Sequence, residues 1–162
     1  MRTSSLLLIF SLAILFSCKD EEEKPTHTFK NQNLSGKIGN TSWTLNDGYA
    51  DVYGIDEQSQ VSVDLFMEAE EGEGCSALAK GNEVLFTLPN KVGLYLLKFE
   101  LNDFENSVVV NLFEEDGYIN NLASTGAVEI TAISDTQVSG RIDARIDEES
   151  FVNGNFTVDI CN

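Results

Sequence analysis

Cysteine is the residue type in this chain most able to do covalent chemistry, and it occurs at positions 18, 75 and 161. If Cys18 is modified at the N-terminus, as argued below, Cys75 and Cys161 form an even pair, which in an oxidising compartment predicts a disulfide. Such a bridge would restrict the unfolded ensemble by up to ~4.5 kcal/mol. Because Cys161 stands at an odd position beside an even apolar face, we expect the bridge on an outer face or at a strand end. A redox or metal role would need a CxxC spacing, which is absent.

Carboxylates are abundant, with 27 acidic residues against 10 basic ones and a net charge of −17. Acidic runs occur at 68–73, 114–116 and 147–149, and none has the spacing of an EF-hand calcium loop. We therefore predict solvated loops, with no metal site and no cofactor. Two carboxylates that face each other across a cleft at ~5 to 9.5 Å can hydrolyse a glycosidic bond, so a polysaccharide hydrolase is kept as an alternative function.

Most other catalytic chemistries lack the residues they need. The only histidine, His27, falls in a polar N-terminal segment and is interpreted as a solvated tether residue, which excludes histidine-based triads and multi-histidine metal sites from the folded part. There is no GxSxG elbow, phosphate-binding glycine loop or HExxH motif. Nucleic-acid binding is excluded as well, since it requires clustered Lys and Arg. The sequence predicts a protein that is not an enzyme.

Aromatic side chains are the candidates for ligand binding, because their faces stack on the apolar faces of sugars. Trp43 follows a predicted tight turn beside Leu45, which favours a core or sheet-edge position for its ring. We expect packing roles for Phe104, Phe113 and Phe151. The candidate ligand-binding residues are Trp43, Tyr49, Tyr53 and Tyr95.

The N-terminus has a short basic start and an apolar run at 6–16. As a helix this run would reach ~16 Å, about half of a ~30 Å hydrocarbon core, so a cleaved secretory signal is favoured over a membrane span. Residues 15–18, Leu-Phe-Ser-Cys, resemble the bacterial lipobox, in which the cysteine thiol carries a diacylglycerol and the leader is cleaved before it. The resemblance implies a signal peptide at 1–17 and lipidation of Cys18, so that the membrane is a partner through the lipid anchor. An ordinary secreted protein is the alternative.

An acidic stretch follows the cysteine, with the sequence Lys-Asp-Glu-Glu-Glu-Lys-Pro at 19–25. It resembles the surface-export signal of lipoproteins from Bacteroidetes-type Gram-negative bacteria, which implies an outer-membrane protein exposed on the cell surface. A periplasm-facing position is the alternative, with the acidic run as a plain extended tether. Residues 18–33 are polar and without period, so we predict an acidic flexible linker there.

The rest of the chain, 34–162, has a period close to two and predicts a single all-β domain. Apolar alternations begin at Val61, at Val84, at Tyr95 (continuing through 101) and at Val108, with turn residues between them. Gly39-Asn40 predicts a two-residue hairpin turn of type II′.

The C-terminal third keeps its apolar residues on even positions from Val128 to Ile160. A turn at 134–136 must then place the even-numbered residues of one strand opposite the even-numbered residues of the next. Ile130 should therefore pair with Gly140, and Glu129 with Arg141. We read the strand through Asn153-Gly154 as unbroken. Core-face glycines recur at three positions, where a ring or a close backbone must occupy the space of a side chain. They are Gly36, Gly140 and Gly154.

Counting gives eight to ten strands, which favours an antiparallel β-sandwich. A closed lipocalin-like barrel is the alternative. The segments at 124–130, 138–142 and 152–161 look like the C-terminal half of small uncharacterised β-sandwich lipoproteins in Bacteroidetes-type genomes. The function of those proteins is unknown, so the resemblance transfers no site residue.

The first functional hypothesis is therefore a lipid-anchored surface module that binds a glycan, a protein or a small ligand, or that contributes structurally to the envelope. The second is the carboxylate-dependent hydrolase, which needs a cleft with two convergent acids. A lipocalin-like carrier of a small ligand is the third, and it needs a hollow interior.

Overall fold

The computed structural model describes residues 27–161; the lipidation predicted at Cys18 and the signal peptide predicted at 1–17 lie outside that part. The structure is all-β, with 63% strand, which confirms the all-β part of the predicted fold class but not the antiparallel sandwich. Three single-turn 3₁₀ segments interrupt the strands, at Asp56–Gln58, Gly74–Ser76 and Phe104–Asn106. The strands are β1 Ser35–Ile38, β2 Thr41–Thr44, β3 Asp47–Tyr53, β4 Gln60–Glu71, β5 Leu78–Pro89, β6 Gly93–Leu96, β7 Val110–Glu114, β8 Ile119–Ala123, β9 Thr125–Ile133, β10 Gln137–Arg145 and β11 Phe151–Cys161.

The strands form one strongly curled sheet, a half-barrel, in place of the two facing sheets of a sandwich or the closed lipocalin-like barrel. Nine of them follow the order β6-β9-β10-β11-β3-β4-β5-β7-β8, with β1 and β2 attached at the side. The curl follows from the connectivity, because β8 at one end of this order passes into β9 near the other end through Ser124 alone. Bulges in β4–β5 and β9–β10 add local bending.

The middle of the sheet is a parallel contact between β11 and β3. Only three pairs of residues make it, at 159–161 of β11 and 49–51 of β3. This short contact, called the seam below, joins the half of the sheet containing β9 and β10 to the half containing β4 and β5. Because the other strand pairs named in the order are antiparallel, the half-barrel is a mixed sheet.

The predicted register of the C-terminal strands is confirmed. Ile130 lies opposite Gly140, and Arg141 pairs with Glu129 both in register and through its Nε atom. Strand β11 passes through Asn153-Gly154 without a turn. At Gly140 a Cβ atom would stand 2.7 Å from the ring of Phe156, so an aromatic ring does occupy the space at this glycine.

The core fills the inside of the curl. Val61, Val63 and Leu65 of β4 are fully buried, and the rings of Phe86 and Phe156 meet edge-on across the interior at 5.7 Å. Since apolar side chains fill this space, the interior described here is packed.

The hairpin β1–β2 covers one end of the curl. Its turn is Gly39-Asn40, as predicted, but φ is +57° and +63° at the two residues, so the turn is type I′ and not type II′. Strand β1 pairs with β11, while Trp43 of β2 donates from Nε1 to the Asn82 carbonyl of β5 at 2.8 Å. The hairpin therefore bridges the two halves of the sheet.

The strand expected from Tyr95 through 101 is too long. Strand β6 ends at Leu96, Lys98 forms a single bridge with Val108, and Leu101 is 72% exposed. Phe104, expected to be packed, is exposed and stacks against Phe99 at 6.0 Å. Alternation continues here beyond the end of strand pairing.

Candidate functional site

The structure separates the four aromatic candidates. Trp43 is 1% exposed and has no free ring face. Tyr95 is half-buried on β6, and its hydroxyl donates to the carbonyl of Lys91 at 2.7 Å. Tyr49 and Tyr53 share one face of β3, where Tyr49 is half-buried and Tyr53 is exposed. Of the predicted set, only Tyr49 and Tyr53 lie together, on the outer face of the sheet.

Tyr49 belongs to a hydrogen-bonded pair with Asp64, its neighbour in register on β4. Burial raises the pKa of Tyr49 to about 12, and the hydrogen bond to Asp64 and the negative charge of Asp64 add to the effect. The Tyr49 ring also packs against Phe66, with ring centroids 6.3 Å apart. The phenol is thereby held neutral and fixed against the carboxylate.

Two carboxyl groups on this face have raised pKa values. Burial is the main cause of the raised pKa of Asp64, and the charge of Asp51 adds to it while the Tyr49 hydrogen bond opposes it. Burial likewise raises the pKa of Glu83 on β5, with further contributions from the charges of Asp64 and Glu115. We call Tyr49 and the two carboxylates of Asp64 and Glu83 the polar row.

A raised pKa is what a general acid needs at neutral pH. A glycosidase also needs its two carboxyl groups on opposite walls of a cleft. Asp64 projects from β4 on the side away from Val63 and the core, and the cavities described here are lined by other residues. The row therefore lies on an open face of the sheet, where its carboxylates can accept hydrogen bonds from a ligand laid on the sheet.

A partly enclosed cavity of about 280 Å³ lies where the β1–β2 hairpin meets β5. Asn82 organises it: its Nδ2 donates to the Ile38 carbonyl at 3.0 Å, and its Oδ1 accepts the Glu115 N–H at 3.2 Å. Carboxylates of Glu68 and Glu114 and the ammonium group of Lys80 are on its walls. This volume lies just below the ~300–1,000 Å³ of typical ligand pockets.

Within residues 27–161, no group of three or more His, Cys, Asp or Glu side chains is arranged to hold a metal ion. The acidic runs of the sequence stand at the end of β4, in the β7–β8 turn and in the β10–β11 turn. In the same part of the chain, no helix is long and apolar enough to cross a membrane.

The predicted disulfide between Cys75 and Cys161 is present, with Cα atoms 5.4 Å apart. It lies at a strand end, as expected, because Cys161 is the last residue of β11 and Cys75 lies in the turn Gly74–Ser76. That turn is also tied to β3, since Gly74 donates its N–H to Asp47 Oδ2 at 2.9 Å. The bridge therefore fastens the seam, where Cys161 pairs with Asp51.

No sequence pattern indicated that residues 28–33, assigned to the linker, contact the sheet. Thr28 donates its N–H to Asp143 Oδ2 at 2.7 Å, and Lys30 donates to Asn153 Oδ1 at 2.9 Å. Asn153 Nδ2 returns a bond to the Thr28 carbonyl at 2.9 Å. Asp143 and Asn153 are almost fully buried. Residues 28–33 of the predicted linker are therefore bound to the sheet, and we call residues 27–33 the strap.

Ring contacts complete the attachment of the strap. The Arg141 guanidinium lies 4.5 Å above the Phe29 ring, and a cation–π contact of this kind contributes ~0.5–1 kcal/mol at an exposed site. His27 packs against Phe29 with centroids 5.1 Å apart, so it is not the solvated residue we expected. Polar residues with no apolar period carry no signal of such docking, which is why the sequence did not predict it.

The fold and these surfaces define a curled β-sheet domain with a bound N-terminal strap and one disulfide. No family model, curated protein or solved structure matches this chain.

Proposed function

We propose that this chain is an outer-membrane lipoprotein of the Bacteroidetes type, anchored through Cys18 and displayed on the cell surface, whose β-domain is a non-enzymatic binding or structural module. The observation that carries the proposal is the Cys75–Cys161 disulfide. An intramolecular disulfide is typical of an oxidising compartment. It also leaves Cys18 as the remaining cysteine of the sequence, directly after an apolar leader that resembles a lipobox.

The binding role is supported by where the ligand-accepting groups lie. Tyr53 exposes its ring on the outer face of β3, and Tyr49 with Asp64 adds fixed hydrogen-bonding groups on the same face. An aromatic face beside carboxylates suits a glycan, whose apolar ring face stacks and whose hydroxyls donate hydrogen bonds. A protein ligand with exposed donors has the same chemistry.

Anchoring and display are tested in cells of the native type. Radiolabelled palmitate should enter the protein and should be lost in Cys18→Ser, while a Cys75→Ser, Cys161→Ser double variant keeps the label. The mature chain should begin at Cys18, and protease added to intact cells should digest it. A mature form that begins elsewhere contradicts the lipid anchor. A protein that stays intact when protease is added to whole cells supports the periplasm-facing alternative.

Glycan binding is tested with matched aromatic variants. Tyr53→Ala should weaken retention of the protein on a glycan array by about fivefold, since one stacking contact contributes ~1 kcal/mol. Tyr118→Ala, at an 82% exposed tyrosine in another turn, should leave retention unchanged. Equal behaviour of the two variants would remove Tyr53 from the binding face.

The hydrolase alternative rests on one observation, the raised pKa values of Asp64 and Glu83. It predicts release of reducing ends from a polysaccharide, abolished in Asp64→Asn or Glu83→Gln. A lipocalin-like carrier would use the cavity beside Trp43. Both alternatives are decided by activity and binding screens on the same protein.

A further inference from the structure

The outer face of strand β6 is apolar and uncovered. Val92, Leu94 and Leu96 are 54%, 50% and 52% exposed; Leu94 and Leu96 share one face of β6, and Val92 directly precedes the strand in the same alternation. Strand β6 is the last strand in the sheet order, so β9 is its one neighbour there. We call these three residues the β6 face. A row of exposed large apolar side chains at a sheet edge marks an interaction surface.

The charge near the β6 face differs from that of the rest of the protein. Residues 91–98 contain two lysines and no acidic residue, in a chain of net charge −17. On the neighbouring strand, Glu129 lies opposite Leu94, but its carboxylate is paired with Arg141. Lys98 is paired with Glu100 at 3.2 Å. This apolar row has lysines beside it, and the nearby carboxylates are held in ion pairs. Such a row suits a lipid surface, in which apolar acyl chains lie beneath anionic headgroups.

The position of the strap brings the N-terminal anchor close to this face. The strap contacts β11 through Asn155 at its far end and β10 through Asp143 at Thr28, and β9 and β6 follow β10 in the sheet. Two strand spacings, about 10 Å, separate β10 from β6. Cys18 and His27 are nine positions apart, so a chain of that length reaches at most about 30 Å.

We propose that the β6 face rests on the phospholipid surface in which Cys18 is anchored. This inference rests on the proposed lipid anchor and adds an orientation to it. The strap fixes the point where the tether leaves the domain, and Val92, Leu94 and Leu96 enter the interface beside that point. The acidic remainder of the domain is repelled by anionic lipid and faces water, and Tyr49 and Tyr53 lie on β3, which three strands separate from β6 in the sheet order.

Quenching by brominated lipids tests the contact in the full lipidated chain. The protein is reconstituted into vesicles of phosphatidylcholine and phosphatidylglycerol, with or without bromine on the acyl chains. A tryptophan replaces an exposed leucine of the β6 face, Leu94→Trp. The control is Leu78→Trp, at a 58% exposed leucine at the start of β5, opposite the acidic end of β4. Emission from buried Trp43 is subtracted with the unsubstituted protein.

We expect the Leu94→Trp emission to fall by about half with brominated lipid and to shift to the blue, because interfacial side chains enter ~5–10 Å below the headgroups. Leu78→Trp should not change. Unquenched Leu94→Trp emission in vesicles that carry the protein overturns the β6 contact while the anchor stands. A blue shift that depends on protein concentration, without quenching, indicates a second copy on this face and also overturns it. A chain that does not float with the vesicles overturns the anchor and this inference together.

Discussion

The disulfide between Cys75 and Cys161 should dominate the stability of this domain. The two residues are 86 positions apart, and closing a loop of that length in the unfolded chain corresponds to about 4.5 kcal/mol. Domains of this size have unfolding free energies of about 5–15 kcal/mol. The Cys75→Ser, Cys161→Ser double variant should therefore be close to its unfolding threshold. Because the bridge fastens the seam, its loss should also loosen β3 and β11 first.

The measurement is urea unfolding in a Cys18→Ser background, which leaves Cys75 and Cys161 as the only cysteines. With a slope of ~2 kcal/mol per molar, the midpoint should fall by about 2 M in the double variant. The matched control is the Cys18→Ser protein whose disulfide has been reduced with dithiothreitol, and its urea midpoint should equal that of the double variant. Hydrogen exchange should accelerate at 49–51 and 159–161 before the β9–β10 hairpin. A midpoint shift below about 0.5 M, or uniform exchange, would refute the argument.

Three further outcomes follow from particular contacts. A Cβ at Gly140 would stand 2.4 Å from the Glu129 carbonyl oxygen, whereas at Gly93 the nearest atom is 3.5 Å away. Gly140→Ala should therefore cost ~1–3 kcal/mol in unfolding free energy and Gly93→Ala well under ~1, and equal urea midpoints would contradict this. Asn153→Ala leaves the Lys30 N–H and the Thr28 carbonyl of the strap unpaired at a site where Asn153 is 8% exposed, so proteolysis after Lys30 should accelerate. The control is Asn155→Ala, which removes only an exposed side-chain hydrogen bond to Asn31. Burial and Asp64 raise the pKa of Tyr49 from 10.0 to about 12, so its contribution to stability is complete below pH 10 and is lost as the pH rises through 12. Tyr49→Phe should remove that part of the alkaline unfolding. An unchanged dependence of the unfolding free energy on pH would show that Tyr49 ionises freely.

The sequence carries strong information about neighbouring strands that pair through a short turn. In β9, β10 and β11 one face is buried, so a slip of one residue would expose the whole apolar set. This is why the pairing of Ile130 with Gly140 could be read before the structure. The disulfide was equally accessible, because the resemblance of residues 15–18 to a lipobox set Cys18 aside and left Cys161 as the partner for Cys75.

Information about distant pairing is absent from the local pattern. The choice between a sandwich and a half-barrel depends on the seam and on the Ser124 corner, and neither changes the alternation of the strands that they join. Similarly, the alternation from Tyr95 through 101 does not indicate the residue at which strand pairing ends. Of the candidate site, Tyr49 and Tyr53 were identified by residue type, but the partner Asp64 became visible only through the β3–β4 register.

The place of β11 in the order has a consequence for biogenesis. This final strand of the chain lies between β10 and β3, so the two halves of the sheet have no common neighbour until the C-terminal residues have been synthesised. The sheet cannot be completed before residues 151–161 have been synthesised, so pairing across the seam is a late step of folding. The Cys75–Cys161 disulfide also closes late, because the thiol of Cys161 must be synthesised before an oxidant can join it to Cys75.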